Sequence, residues 1–139
     1  MKELFDVHCH MVPGVDDGAA DLEESLEMLK MQHEDGVRKI IITPHYRRRM
    51  FETPAKKVHE QFLKLQEAAK KEYPDMSLYL GCELHSNMDL QDILEKRKYV
   101  TMAGSSYVLL EFSEGDSAQH IRERVYNAVS YTHLRAHET

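Results

Sequence analysis

The sequence has few cysteines, no long apolar run and no surplus of positive charge, and each lack closes off a class of protein. Two cysteines in 139 residues do not make a disulfide framework, and with no signal-peptide pattern at the start they read as reduced thiols. A cytoplasmic location is therefore expected. No apolar stretch approaches the ~20 residues that span a bilayer, so the chain is not expected to be a membrane protein itself. Lysine and arginine number 18 against 24 aspartates and glutamates, a formal net charge of −6. That balance gives no support to nucleic acid or an anionic membrane surface as a partner. Low-complexity linkers and internal repeats are missing as well. What remains, 42% hydrophobic and 30% charged residues, is ordinary for one soluble domain with a modest core.

The pattern along the chain alternates. Residues 3–7, ELFDV, read as a short buried strand. Asp21 with Glu24 marks a capped helix start, Leu22, Leu26 and Leu29 supply its stripe, and Gly36 ends it. Residues 37–43, VRKIIIT, are the clearest strand. Thr53-Pro54 opens a second helix with the stripe Val58, Phe62, Leu65 and Ala69. A strand over 77–82, a short helix over 89–97, a strand over 107–112 and a helix after Asp116 complete the reading. About four βα units in this order imply parallel strands covered by helices. Residues 131–139 show neither a strand pattern nor an apolar stripe. A closed eight-unit barrel takes about 250 residues, so the chain is expected to hold roughly half of one.

The chemistry gathers at strand ends. His8 and His10 follow the first strand, His45 the second, Glu83 the third, and Glu111 ends the fourth. In parallel α/β folds those ends share one face, where active sites form. In an extended segment residues i and i+2 point the same way, so His8 and His10 can converge on one ion while Cys9 faces elsewhere. Glu111 sits inside the strand run YVLLEF, and a carboxylate there needs a partner such as a cation. Asp16-Asp17-Gly18 reads either as a turn or as one more carboxylate above the strand ends. Arg47, Arg48 and Arg49 follow His45, and the guanidinium fork suits phosphate. A cysteine-based phosphatase is ruled out by spacing, because the sixth residue after Cys9 is Val15 and after Cys82 is Met88, neither an arginine. Both cysteines read as small buried apolar residues. His33, His59, His120, His133 and His137 read as structural.

The segments HCHMVPGVDDGA, IIITPH, FETP, GCE and YVLLEF together resemble the polymerase-and-histidinol-phosphatase (PHP) superfamily. Within it they are similar to the manganese-dependent tyrosine-protein phosphatases of the CpsB/CapC type from capsule and exopolysaccharide operons. The resemblance covers about residues 4–130 and implies the N-terminal part of a distorted, TIM-like (β/α) barrel. It implies metal ligation by His8, His10, Asp17, His45, Glu83 and Glu111, with Glu83 bridging as a catalytic residue and Arg47 and Arg48 holding phosphate. Up to three Mn²⁺ ions are implied, and the mixed ligand set also suits Zn²⁺ or Fe²⁺. The implied reaction is hydrolysis of phosphotyrosine on the tail of a bacterial tyrosine autokinase.

Family members continue with a histidine-proline-glutamate-arginine segment and a late Asp-x-His that complete the cluster, and this sequence has neither. A partial phosphatase domain over 1–130 is expected, followed by a tail over 131–139 unlike the family. The fragment on its own is expected to have weak activity or none. A second reading keeps the site and changes the substrate to a small phosphate monoester such as histidinol phosphate. A third is a metal-binding fragment without turnover.

Overall fold

The first helix starts where the sequence places it. In the computed structural model, which describes residues 2–89, 92–93, 101–132 and 135–136, the Asp21 carboxylate accepts the Glu24 amide at 2.9 Å, and Glu24 accepts the Ala20 amide at 3.3 Å. That pair of caps begins α1 (Leu22–Glu34), and Gly36 at φ +93° turns the chain out of it. Leu29 is fully buried, but Leu22 is exposed and Ser25 takes the inner position instead. Ser25 tolerates burial because its hydroxyl donates to the Met11 carbonyl at 2.6 Å. α2 (Ala55–Glu72) follows Pro54, with Phe62, Leu65 and Ala69 buried on one face.

Among the described residues the short strands are all parallel to their neighbours. β1 (Leu4–Asp6), β2 (Val37–Ile42) and β4 (Ser77–Leu80) pair in the order β1-β2-β4. β3 (His45–Tyr46), β5 (Glu83–His85), β6 (Tyr107–Glu111) and β7 (Arg135–Ala136) pair in the order β3-β5-β6-β7. The strands expected over 37–43 and 77–82 thus each break and resume one ladder further on. Pro44 has no amide hydrogen for a ladder. Backbone bonds carry the pairing through the break: Thr43 donates to Cys9 and Gly81 to Ile42, both at 2.8 Å, and Glu83 donates to Pro44 at 2.9 Å. α3 (Ala118–Thr132) links β6 to β7.

Two apolar clusters sit under these layers. The larger joins Met11, Leu29, Ile40, Ile42, Leu65 and Leu80 between the first sheet and the paired helices α1 and α2. The smaller joins Leu84, Met88, Ile93, Val108 and Ala128 beneath β5 and β6. Each fully buried leucine or isoleucine contributes roughly 1.5–3 kcal/mol through the area it removes from water.

Two expectations are corrected. β1 is not buried: Leu4, Phe5 and Val7 are 50%, 63% and 56% exposed, because β1 pairs only with β2 among the described residues and forms a sheet edge. Residues 131–139 carry no strand pattern, yet Arg135 and Ala136 pair in register with Tyr107 and Val108. A two-residue strand is too short to show a period. The helix expected over 89–97 falls largely outside the described residues. No described helix is long and apolar enough to cross a membrane.

Candidate metal centre

Asp6 Oδ1 accepts the His8 amide at 3.0 Å and so fixes the chain where it leaves β1. Alternation then sends His8 and His10 to one side, their ring centroids 5.2 Å apart, while Cys9 packs against the larger core. The following loop closes on His10: the Ala19 amide donates to its carbonyl at 3.1 Å, and Gly14, at φ +70°, donates to Ala19 at 2.9 Å. At Gly18 a Cβ would lie 2.1 Å from the His10 carbonyl oxygen, so only glycine permits this closure. Thr53 ties the start of α2 to the same loop by donating to the Val15 carbonyl at 2.8 Å.

Glu83 is the meeting point. It opens β5 directly opposite His45 in β3, and its Oε2 lies 3.2 Å from His8 Nε2, 3.1 Å from His10 Nε2 and 3.1 Å from His45 Nδ1. Glu111, at the end of β6, brings Oε2 to 3.4 Å from His45 Nδ1. The donor atoms form two sets that share Glu83: His8, His10 and Glu83, and His45, Glu83 and Glu111, each within 4.8 Å. Despite these approaches, the buried Glu83 Oε2 and His45 Nδ1 have no hydrogen-bond partner. The nitrogens surround the oxygen without aiming a proton at it. A buried polar atom left this way costs about 1–3 kcal/mol, and a divalent cation among these donors removes the cost. Imidazole nitrogen with carboxylate oxygen suits Mn²⁺, Fe²⁺ or Zn²⁺, so the residues fit such a centre.

The electrostatics follow from the crowding. Burial opposes ionisation of Glu83, but His10, Glu111 and His8 outweigh it and hold its pKa down at about 2. Glu111 moves the other way, to about 7, through burial and then through the close Glu83 carboxylate and its charge. His10 rises to about 10 because Asp16 and then Glu83 favour its protonated form. Two carboxylates with opposed shifts, flanked by imidazole, are the pattern of a functional cluster.

The structure brings together His8, His10, His45, Glu83 and Glu111. Asp17 stands at the rim, 64% exposed at its side chain, with Oδ1 3.5 Å from His45 Nε2 and outside both donor sets. Arg47 reaches Glu111 Oε1 at 3.6 Å, and its buried Nε has no partner. Arg48 is exposed on a hairpin that Arg47 and Phe51 close with two 2.8 Å backbone bonds. The Phe51 ring stacks on His45 with centroids 5.2 Å apart. Of the remaining histidines, His33 pairs with Asp75 at 3.0 Å far along the chain, His120 meets the Phe112 ring, and His59 is exposed on α2. His133 and His137 lie outside the described residues. Cys9 packs against the larger apolar cluster, and Cys82 is a buried member of the smaller one.

Two residues had no role of their own assigned from the sequence. Asp16 is the inward member of its aspartate pair, with a fully buried side chain. His85 is buried in β5 two positions after Glu83, so strand alternation puts it on the same face. Its Nδ1 accepts the Asn87 amide at 3.0 Å, and its Nε2 lies 3.1 Å from Ser113 Oγ and 3.6 Å from Glu111 Oε1. Burial lowers its pKa, keeping the ring neutral behind Glu111. Strand alternation from Glu83 is the signal that finds His85. Nothing in the sequence separates Asp16 from Asp17.

The family model described as capsular polysaccharide synthesis, CpsB/CapC, matches residues 4–137. The tyrosine-protein phosphatase CpsB of Streptococcus pneumoniae is 39% identical over 124 residues, which is 89% of this chain and 51% of that protein. The tyrosine-protein phosphatase YwqE of Bacillus subtilis is 31% identical over 109 residues, 78% of this chain and 43% of that protein. Among solved structures, a chain from the crystal structures of Bacillus subtilis YwqE and Streptococcus pneumoniae CpsB, described as unique metal-dependent tyrosine phosphatases, superposes with a TM-score of 0.84. It is 26% identical and covers 96% of this chain and 53% of that one. The chain spans about half the length of the curated relatives it matches. Parallel α/β layers, a shared glutamate at the strand ends and a match over nearly the whole sequence lead to one conclusion: the chain belongs to the CpsB/CapC family of capsular polysaccharide synthesis.

Proposed function

We propose that this chain carries the N-terminal ligand half of a metal-dependent protein-tyrosine phosphatase. The observation that supports the reading best is the shared Glu83 Oε2, buried, without a hydrogen-bond partner and ringed by three imidazoles. His8, His10 and Glu83 would hold one divalent ion, and His45, Glu83 and Glu111 a second, with Asp17 reaching in from the rim. Divalent cations held there acidify water toward neutral pH and offset charge developing on phosphoryl oxygens. Arg47, with an unpartnered Nε beside Glu111, is suited to grip the phosphoryl group, and Arg48 to meet the substrate from the exposed turn. Mn²⁺ is the ion proposed, as the resemblance implies, and Zn²⁺ or Fe²⁺ would find the same donors.

The same reading makes the fold part of a distorted (β/α) barrel. An apolar cavity of about 620 Å³, lined by His8 and Glu83 together with Val7, Ile41, Met102 and Leu109, is consistent with that reading. The substrate proposed is the phosphotyrosine tail of a bacterial tyrosine autokinase in capsule regulation, met in the cytoplasm. The test is hydrolysis of a phosphotyrosine peptide and of histidinol phosphate with Mn²⁺, by this chain and by a relative of full length. The peptide is expected to be cleaved faster by the full-length relative, and only weakly by this chain. A preference for histidinol phosphate by orders of magnitude would replace the tyrosine phosphatase reading with that of a small-ester phosphoesterase.

A further inference from the structure

We infer that Asp16 is the positioning residue of the centre: one buried carboxylate that presents His10 through Nε2 and holds His45 beside it. The inference rests on the metal-centre reading above. The Asp16 side chain has no exposed surface, and three donors from three places use its two oxygens. Oδ1 accepts the Gly18 amide at 2.9 Å, while Oδ2 accepts the His45 amide at 3.0 Å and faces His10 Nδ1 at 3.3 Å. A turn at Gly18 needs only the first of these contacts. The other two reach a different strand and a ligand ring, which loop closure does not require.

The consequence for His10 is directional. The nitrogen that donates to a carboxylate leaves the other ring nitrogen to ligate, and such outer partners fix ring orientation at metal sites. With Nδ1 turned to Asp16, Nε2 is the atom left facing Glu83, at 3.1 Å. The bond to the His45 amide fixes the start of β3, and the His45 ring then lies stacked on His10 with centroids 4.2 Å apart. Asp16 therefore sets two ligands from separate segments at once. Asparagine cannot replace it, although it has the same shape. Its single oxygen serves either Gly18 or the His10–His45 side, and its NH₂ group meets an N–H donor on the other.

Calorimetric titration of the 139-residue chain with Mn²⁺ and Zn²⁺, compared with Asp16→Asn, tests the inference. Nitrogen-edited NMR of the Zn²⁺-loaded wild-type chain supplies a readout that needs no variant. The expected result is binding by the wild type, roughly 10–100-fold weaker binding by Asp16→Asn, and His10 ligating through Nε2 with a proton on Nδ1. Equal affinity of a folded Asp16→Asn, or ligation of His10 through Nδ1, overturns the role of Asp16 and leaves the centre standing. If Asp16→Asn fails to fold, the ligating nitrogen of His10 decides alone. A wild-type chain that binds neither ion removes the centre itself, and the role of Asp16 with it.

Discussion

His10 and His45 lie face to face, with ring centroids 4.2 Å apart and planes 11° from parallel. They come from separate segments, so the stack is a tertiary contact that joins the N-terminal loop to β3. Two imidazolium ions that close repel each other, whereas two neutral rings pack well. The stack holds the two rings side by side where both approach Glu83 Oε2.

Phe51 extends that stack on the far face of His45, 5.2 Å away and 19° from parallel. Replacing it by alanine removes a ring pair worth about 0.5–1.5 kcal/mol beyond buried area. Phe51→Ala is expected to lower the thermal unfolding midpoint and to weaken metal binding a few-fold by loosening His45. A midpoint equal to that of the wild type would show that the ring contributes nothing there.

Glu83→Gln should abolish binding at both donor sets together, because both depend on its Oε2. The fold should survive, since the amide replaces a buried oxygen that has no hydrogen-bond partner to lose. Elemental analysis and circular dichroism of the purified variant check the two halves. Retention of one ion at full affinity would mean that the sets are independent.

Metal affinity should rise with pH. In the metal-free chain His10 keeps its proton up to about pH 10, and Glu111 up to about 7. A cation entering at neutral pH must displace the His10 proton, so affinity should increase about tenfold per pH unit between pH 7 and 10. Below pH 7 the Glu111 proton must leave as well, which steepens the slope; above pH 10 the curve should flatten. Titrations in buffers of different ionisation enthalpy measure the released proton directly. An affinity independent of pH would contradict the protonation assigned to His10.

Arg47 and Arg48 should separate in anion binding. Arg47→Ala in the metal-loaded chain is expected to weaken inorganic phosphate by about tenfold or more, the scale of one hydrogen bond from a charged group. Arg48, exposed on the hairpin turn, should cost less than half as much in free energy. Equal losses from both would place the phosphate on the hairpin and away from Glu111.

Gly18→Ala should destabilise the chain by about 1–3 kcal/mol, the usual cost of forcing atoms into a filled space, because the new Cβ would meet the His10 carbonyl oxygen. Urea unfolding measures it. An unchanged midpoint would mean that the loop opens without penalty.

The alternation of strands and helices, the capped start of α1 and the gathering of histidines and glutamates at the strand ends were all legible in the sequence, because each rests on a local pattern. The breaks at Pro44 and Gly81 were hidden inside apolar runs that read as single strands. The exposure of Leu4 and Phe5 was hidden too, since composition cannot tell an edge strand from a central one. Asp16 and Asp17 are chemically identical neighbours, and only the path of the loop decides that Asp16 turns inward. The short β7 depends on pairing with β6 and leaves no mark of its own.

Cys9 stands between His8 and His10, yet its thiol is pushed up to about 12, by burial and then by the charges of Asp6 and Asp16. Peroxide attacks the thiolate form and not the thiol. Phosphatases that work through an ionised cysteine stall under oxidative attack. Cys9, between His8 and His10, gives such oxidants no comparable foothold.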